Sequence, residues 1–272
     1  MLKKIILLIS LPLVLAGCSQ TVGFVNVNVD SAANNNQSGA AAVSTTNLAA
    51  TPTDQVQKST KSVTSASSSS AVNKISIKIP AQLVLPVLFA QQAPFGNWDA
   101  VHEEACEEAS MIMVVKYFFR QPLDETIMEQ ELQKVLKWEA DNNYAVDLTA
   151  VQTAAILKQY YGLQATVSTE VTADRIKYEL AHGHLLIIPA SGRDLPNPNF
   201  KQPGPLYHML VIKGYDSKDF ITNDPGTRKG NGFRYTYSGL LNAVHDWNDQ
   251  VAQDRTVESM RQGRQVMIVV NN

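Results

Sequence analysis

The sequence predicts an α+β domain in which helices come first and an antiparallel sheet follows. Three observations lead there. The segment from Cys106 to Arg120 is apolar on nearly every face, as in a helix buried on all sides, and two amphipathic segments come after it. From Ala165 onward short β-branched and aromatic runs take over, two of them flanking the turn-forming Asp216-Ser217-Lys218-Asp219. Near Lys74 the composition changes from Ser, Thr, Ala, Asn and Gln to alternating apolar residues, which sets the folded domain at 74–272. About 200 residues are enough for a single core.

In chain order, Ile75 to Ile79 alternates like a half-buried strand, and Leu83-Val84-Leu85 stands before Pro86. The helix from Cys106 carries Ala109, Met111, Ile112, Met113, Val114, Val115, Phe118 and Phe119. Two further helices are expected over about 124–138 and 147–161. Asp124 and Asp147 stand as N-caps, and Gly162 closes the second. Ala165-Thr166-Val167-Ser168 reads as a strand, Ala173 to Ala181 as a short helix, and Leu185 to Ile188 as a buried strand ending at Pro189. Arg193 to Gly204, rich in Pro and Asn, is a long loop. Tyr207 to Tyr215 and Phe220 to Asn223 form a hairpin, Leu240 to Trp247 a helix, and Val266 to Val270 the last strand.

The N-terminus has the layout of an export signal: Lys3-Lys4, an apolar run from Ile5 to Leu15, then Ala16-Gly17-Cys18. The run is short for a bilayer span. Residues 1–17 are therefore expected to be removed. Residues 18–73 form a Cys followed by a polar tether, whose coil would reach about 40 Å. Without Lys3 and Lys4 the mature chain is mildly acidic. The full chain has Lys+Arg 23 against Asp+Glu 25, so no basic surplus exists to hold a phosphate backbone. Nucleic acid is not an expected partner.

Only Cys18 and Cys106 occur. If Cys18 is modified, Cys106 is a lone thiol in a compartment that permits disulfides, and such a thiol calls for a use. It also reads as a small buried hydrophobe. Cys106 opens the buried helix, where unpaired N–H groups and the macrodipole stabilise a thiolate, so a lowered pKa is expected. Glu103, Glu104, Glu107 and Glu108 surround it and oppose that shift. They read either as first-turn residues suiting the dipole or as an acidic rim selecting basic substrates.

A nucleophilic thiol needs a base, and the base needs a third group to orient it. His208 opens one hairpin strand and Asp224 ends the other, which returns beside it. Alone, His208 reads equally as a core histidine and Asp224 as a turn former before Pro225-Gly226. Asn223 and Asp224 point to opposite faces of their strand, so only one of them can meet His208. His102, His182 and His184 lack the close ligand pairs of a zinc site, and no metal or other cofactor is expected.

Leu15-Ala16-Gly17-Cys18 resembles the lipobox of bacterial lipoproteins, which implies lipidation of Cys18, membrane attachment and an extracytoplasmic location. Ser19 would permit outer-membrane delivery in a two-membrane host. Gln92-Ala93-Pro94-Phe95-Gly96-Asn97-Trp98 with Glu104-Ala105-Cys106-Glu107-Glu108-Ala109-Ser110 resembles the nucleophile segment of papain-like cysteine peptidases related to the double-glycine leader peptidases of bacteriocin exporters. Tyr207 to Tyr215 is similar to that family's histidine strand, and Ile221-Thr222-Asn223-Asp224-Pro225 to its acidic corner.

The resemblance spans about 84–237. It implies a papain-like fold and a thiol hydrolase acting on a peptide or protein substrate, in which Cys106 attacks, His208 moves the proton and Asp224 orients His208. It also implies that Gln92 donates to the oxyanion beside the Cys106 backbone N–H, although Gln91 competes and both lie farther from the Cys than in the exporter peptidases. Acyl transfer to an amine by the same residues and a silent binding module are the alternatives.

Overall fold

The computed structural model describes residues 78–272. Residues 1–77, on which the expected signal segment, Cys18, the expected tether and the start of the first expected strand fall, lie outside the described residues. Lys78 and Ile79 are exposed coil, and the first strand is the short β1 (Leu83–Val84).

Three helices follow. α1 (Cys106–Phe118) is buried from Cys106 through Lys116, as its all-round apolar sequence requires, although Phe119 beyond its end is 41% exposed. α2 (Glu125–Asp141) starts where Asp124 accepts a hydrogen bond from Ile127 N–H, and it runs three residues past the expected end. α3 (Ala150–Gln159) starts later than expected. Its cap is Thr149, joined to Gln152 in a reciprocal capping box, and not Asp147. It gives way to Gly162 at φ +75°.

The rest of the chain builds the sheet: β2 (Gln164–Ser168), α4 (Ala173–Ala181), β3 (Leu185–Ser191), β4 (Tyr207–Tyr215), β5 (Asp219–Asn223), β6 (Asn231–Thr236), α5 (Tyr237–Ala243), α6 (Asp249–Asp254), α7 (Val257–Met260) and β7 (Met267–Asn271). The strand order is β2-β7-β3-β4-β5-β6, with β1 paired to β4, and every pairing is antiparallel. The last strand of the chain thus lies between β2 and β3. The expected α+β class is what the chain adopts, with α1 packed across β3 and β4.

Two local expectations are corrected. β3 continues through Pro189, which pairs with Met209. Both backbone groups of Met209 face α1: its N–H goes to Cys106 Sγ and its carbonyl accepts from Ser110 Oγ. The pair therefore exchanges no ladder bonds, and the missing N–H of Pro189 leaves nothing unpaired. The helix expected at 240–247 is α5, which ends at Ala243, and Val244 bridges Ala190 instead. Strand β6 and helices α6 and α7 had no expectation.

Every residue of β3 and β4 is buried, so the central strands are covered on both faces. No described helix is long and apolar enough to cross a membrane.

Candidate active site

The site forms where the N-terminus of α1 abuts the start of β4. Cys106 is the first residue of α1 and is 4% exposed. Its Sγ accepts from Met209 N–H at 3.2 Å and donates to Glu107 Oε2 at 3.0 Å. The first bond sets the sulfur against the peptide joining His208 to Met209. No hydrogen bond joins Cys106 to His208 among the described residues. The backbone N–H of Cys106 likewise has no partner there, as expected at the first turn of a helix.

His208 and Asp224 meet. His208 Nε2 lies 2.8 Å from Asp224 Oδ1, and both side chains are almost wholly buried. The hairpin explains the contact: β5 runs back along β4, and Asp224 follows its last residue. The carboxylate accepts three further bonds, from Gly226 N–H at 3.0 Å, Asn197 Nδ2 at 2.9 Å and Tyr235 Oη at 2.6 Å. Burial alone would raise the Asp224 pKa. The charge of His208 and the bonds from His208, Tyr235 and Gly226 outweigh it and hold the carboxyl below the usual aspartate range. The same carboxylate, added to burial, pushes the Tyr235 phenol far up, so it stays a donor. Phe200 meets the His208 ring edge to face at a centroid distance of 5.3 Å.

Asn223 points to the opposite face, as period-2 alternation requires. Its Nδ2 donates to Val87 O at 3.2 Å and to Leu88 O at 2.9 Å, and its Oδ1 accepts from Gly232 N–H. It staples the segment after β1 onto the sheet and takes no part in the imidazole contact.

Gln92 borders the same cleft as His208. Its Nε2 donates to the main-chain carbonyls of His102 at 2.9 Å and Glu103 at 3.0 Å, bonds that an oxyanion would have to displace for Gln92 to donate to it. Its backbone N–H bonds Pro225 O at 3.0 Å, which ties this loop to the corner after Asp224. Gln91 Nε2 is spent on Pro94 O. Gln92 is a brace of the loop that leads into α1.

The four glutamates around Cys106 do not form one rim. Glu103 and Glu104 are exposed and line a cleft of about 780 Å³ together with Asp147, Trp98, Phe200 and His208. Lys201, Arg228 and Lys229 stand on its sheet-side loops and form no ion pair among the described residues. Glu107 and Glu108 are each 1% exposed and face inward. Burial, with the charges of Glu107 and Glu108, pushes the Cys106 thiol well above its usual value and overturns the expected lowering by the helix terminus. Burial and Glu108 raise Glu107 in turn, and burial and Glu139 raise Glu108.

His102, weighed above as a metal ligand, is buried and bonded to Asp99 at 2.8 Å and Glu129 at 2.9 Å, so it locks the loop before α1 to α2. Among the described residues no group of three or more His, Cys, Asp or Glu side chains is arranged to hold a metal ion.

Asn197 and Tyr235 carried no signal of a site role in the sequence. Asn197 is one polar residue in a Pro-rich loop. Tyr235 lies on β6, whose alternation Phe233-Arg234-Tyr235-Thr236 was there to be read as a strand.

No curated protein matches the chain. A crystal structure from Bacillus anthracis, described as that of a candidate C39-like peptidase, superposes with a TM-score of 0.44 at 14% identity, covering 71% of this chain and 98% of that one. The model of the Peptidase_C39 like family matches residues 84–254, a span that holds Cys106, His208 and Asp224. The chain belongs to the Peptidase_C39 like family and is a cysteine-peptidase-like protein.

Proposed function

We propose that this protein is a cysteine peptidase or amidase that cleaves a peptide or amide bond through Cys106, His208 and Asp224. The observation that carries the reading is the buried His208–Asp224 pair on a hairpin whose next residue, Met209, holds the Cys106 sulfur through its backbone N–H. In the proposed reaction the Cys106 proton passes to the free ring nitrogen of His208 while Nε2–H stays on Asp224. The thiolate adds to the substrate carbonyl carbon, and the oxyanion lies beside the unpartnered Cys106 N–H. His208 then protonates the leaving amine, a thioester remains, and water activated by His208 releases the acid and restores the thiol. The cleft bordered by His208, Trp98 and Phe200 has room for several residues of a peptide chain.

We further propose that the domain is carried outside the cytoplasm on a lipid attached to Cys18, which Leu15-Ala16-Gly17-Cys18 supports. Stable attachment takes more than one acyl chain.

The chemistry is tested by incubating the purified protein with a peptide library and identifying new termini by mass spectrometry. Hydrolysis that disappears in folded Cys106→Ser and His208→Ala proteins supports the reading; hydrolysis that survives both removes it. Added amines separate hydrolysis from acyl transfer by the mass of the product. An unmodified Cys18 in membrane-extracted protein would remove the anchor.

A further inference from the structure

We infer that Glu107 is a positioning residue for the nucleophile: its carboxyl holds the Cys106 thiol in a resting hydrogen bond that must be exchanged for one to His208 before attack. The inference rests on the reading of Cys106 as the nucleophile and adds a guard to it.

The geometry is that of a clamp. One oxygen of Glu107 receives the thiol at 3.0 Å, and the other accepts Leu148 N–H, also at 3.0 Å, from the segment leading into α3. The sulfur also accepts Met209 N–H, at 3.2 Å. A glutamate that merely suited the helix dipole would stand in water, whereas Glu107 is 1% exposed. Burying a carboxyl is costly unless its hydrogen bonds are made, and here one oxygen makes its bond with the nucleophile.

The groups facing this pair come from each neighbouring element: Glu108 on α1, Glu139 on α2, Leu148 N–H before α3, and Tyr207 with His208 on β4. No Lys or Arg side chain bonds to Glu107, Glu108 or Glu139 on this side of the sulfur among the described residues; Arg175 and Lys116 pair with other glutamates. The surroundings therefore favour the neutral thiol, in agreement with its raised pKa.

The resting bond keeps the proton on sulfur, and the thiolate is the species that oxidants and electrophiles attack. A lone thiol so held is protected until substrate enters. When substrate displaces the bond, the proton moves from sulfur to His208, Asp224 stabilises the imidazolium, and Glu107 keeps its bond to Leu148. Nothing is oxidised or reduced.

The test is the pH dependence of alkylation, followed by mass spectrometry at the Cys106 peptide of the full chain with iodoacetamide as probe. Wild type should titrate above the ordinary cysteine value of about 8.5. Glu107→Gln keeps the shape and the Leu148 acceptor but puts an amide N–H, a donor, where the carboxyl oxygen accepts the thiol. It should lower the midpoint by at least one pH unit, raise the rate at pH 7 about tenfold and speed inactivation by hydrogen peroxide. Glu107→Asp should return part of the way. An unchanged or higher midpoint in folded Glu107→Gln overturns the inference. A wild-type midpoint below the ordinary cysteine value does so without any variant, should Glu107→Gln not fold. Persistent hydrolysis by Cys106→Ser would remove the nucleophile reading instead, whatever Glu107 does.

Discussion

Gly226 lies directly against the His208 imidazole: a Cβ built on it would come within 2.8 Å of Cε1 and 3.2 Å of Nε2, with Phe200 at 3.0 Å on the other side. The Asp224-Pro225-Gly226 corner closes over the ring only because the third residue has no side chain. Gly226→Ala is therefore expected to push His208 off Asp224 while leaving the distant core intact. Turnover should fall on the order of 100-fold with a small change in melting temperature. Wild-type turnover in the folded variant would show that the ring has slack here.

Asp224 and Asn223 should rank far apart. Asp224→Ala strips the buried imidazole of its partner and is expected to reduce kcat by about 10³-fold or more. Asn223→Ala loses the bonds to Val87 and Leu88 instead, so it should cost about 1–3 kcal/mol of stability with much less effect on kcat in the surviving folded protein. Matched kinetics and thermal unfolding separate the two, and a reversed ranking in kcat would return the orienting role to Asn223.

Tyr235→Phe removes one donor from Asp224 Oδ2 but leaves Asn197 Nδ2 on the same oxygen. A tenfold loss of activity at most is expected. Asp224 should also become easier to protonate, moving the acid limb of the pH–rate profile upward. An acid limb that does not move would mean the phenol does not support the ion pair.

Stability should fall as pH rises from the acid side. Glu107, Glu108 and Glu139 have folded pKa values raised chiefly by burial, Glu139 to about 7. Between the ordinary glutamate range and these values the folded chain holds more protons than the unfolded one, so stability present at low pH is lost on going up. His102 acts in the same sense: burial lowers its pKa, but Asp99 and Glu129 together leave it raised, and its contribution is lost as pH rises through the folded value. Asp224, held low, works oppositely and loses its contribution only as pH falls through its folded value. The melting temperature should thus drop by several degrees from about pH 5 to pH 8. Glu139→Gln should flatten that slope, and an equal slope in the variant would contradict the assignment.

Glu103 and Glu104 border the cleft and are exposed, where a bound substrate would meet them, and Lys201, Arg228, Lys229 and Arg255 line the same cleft. Replacing both by Gln should lower kcat/KM about 3- to 10-fold for peptides bearing Lys or Arg near the cleaved bond, with little effect on neutral ones. The difference should shrink at 1 M salt, where screening acts within about 3 Å. Equal losses for neutral and basic peptides would show that the pair does not read substrate charge.

Helix α4 occupies Ala173–Ala181 and the β4–β5 hairpin turns at Asp216 to Asp219, as local sequence dictates: caps, periodicity and turn residues act over a few positions and need no partner. The opposed facing of Asn223 and Asp224 has the same local origin, since alternation along a strand is a property of the backbone. Which of the two meets His208 depended on the register between β4 and β5, which only pairing sets. Tertiary structure alone decided that β7 enters between β2 and β3, that Asn197 and Tyr235 converge on Asp224 from a loop and an edge strand, and that Gln92 spends its amide on its own loop. The glutamates around Cys106 show the division most plainly. Four carboxylates within six residues are equivalent on paper. Packing of α1 against β4 and the start of α3 buries two of them beside the thiol and leaves two in the cleft, which reverses the sign of the thiol shift that a helix N-terminus by itself would produce.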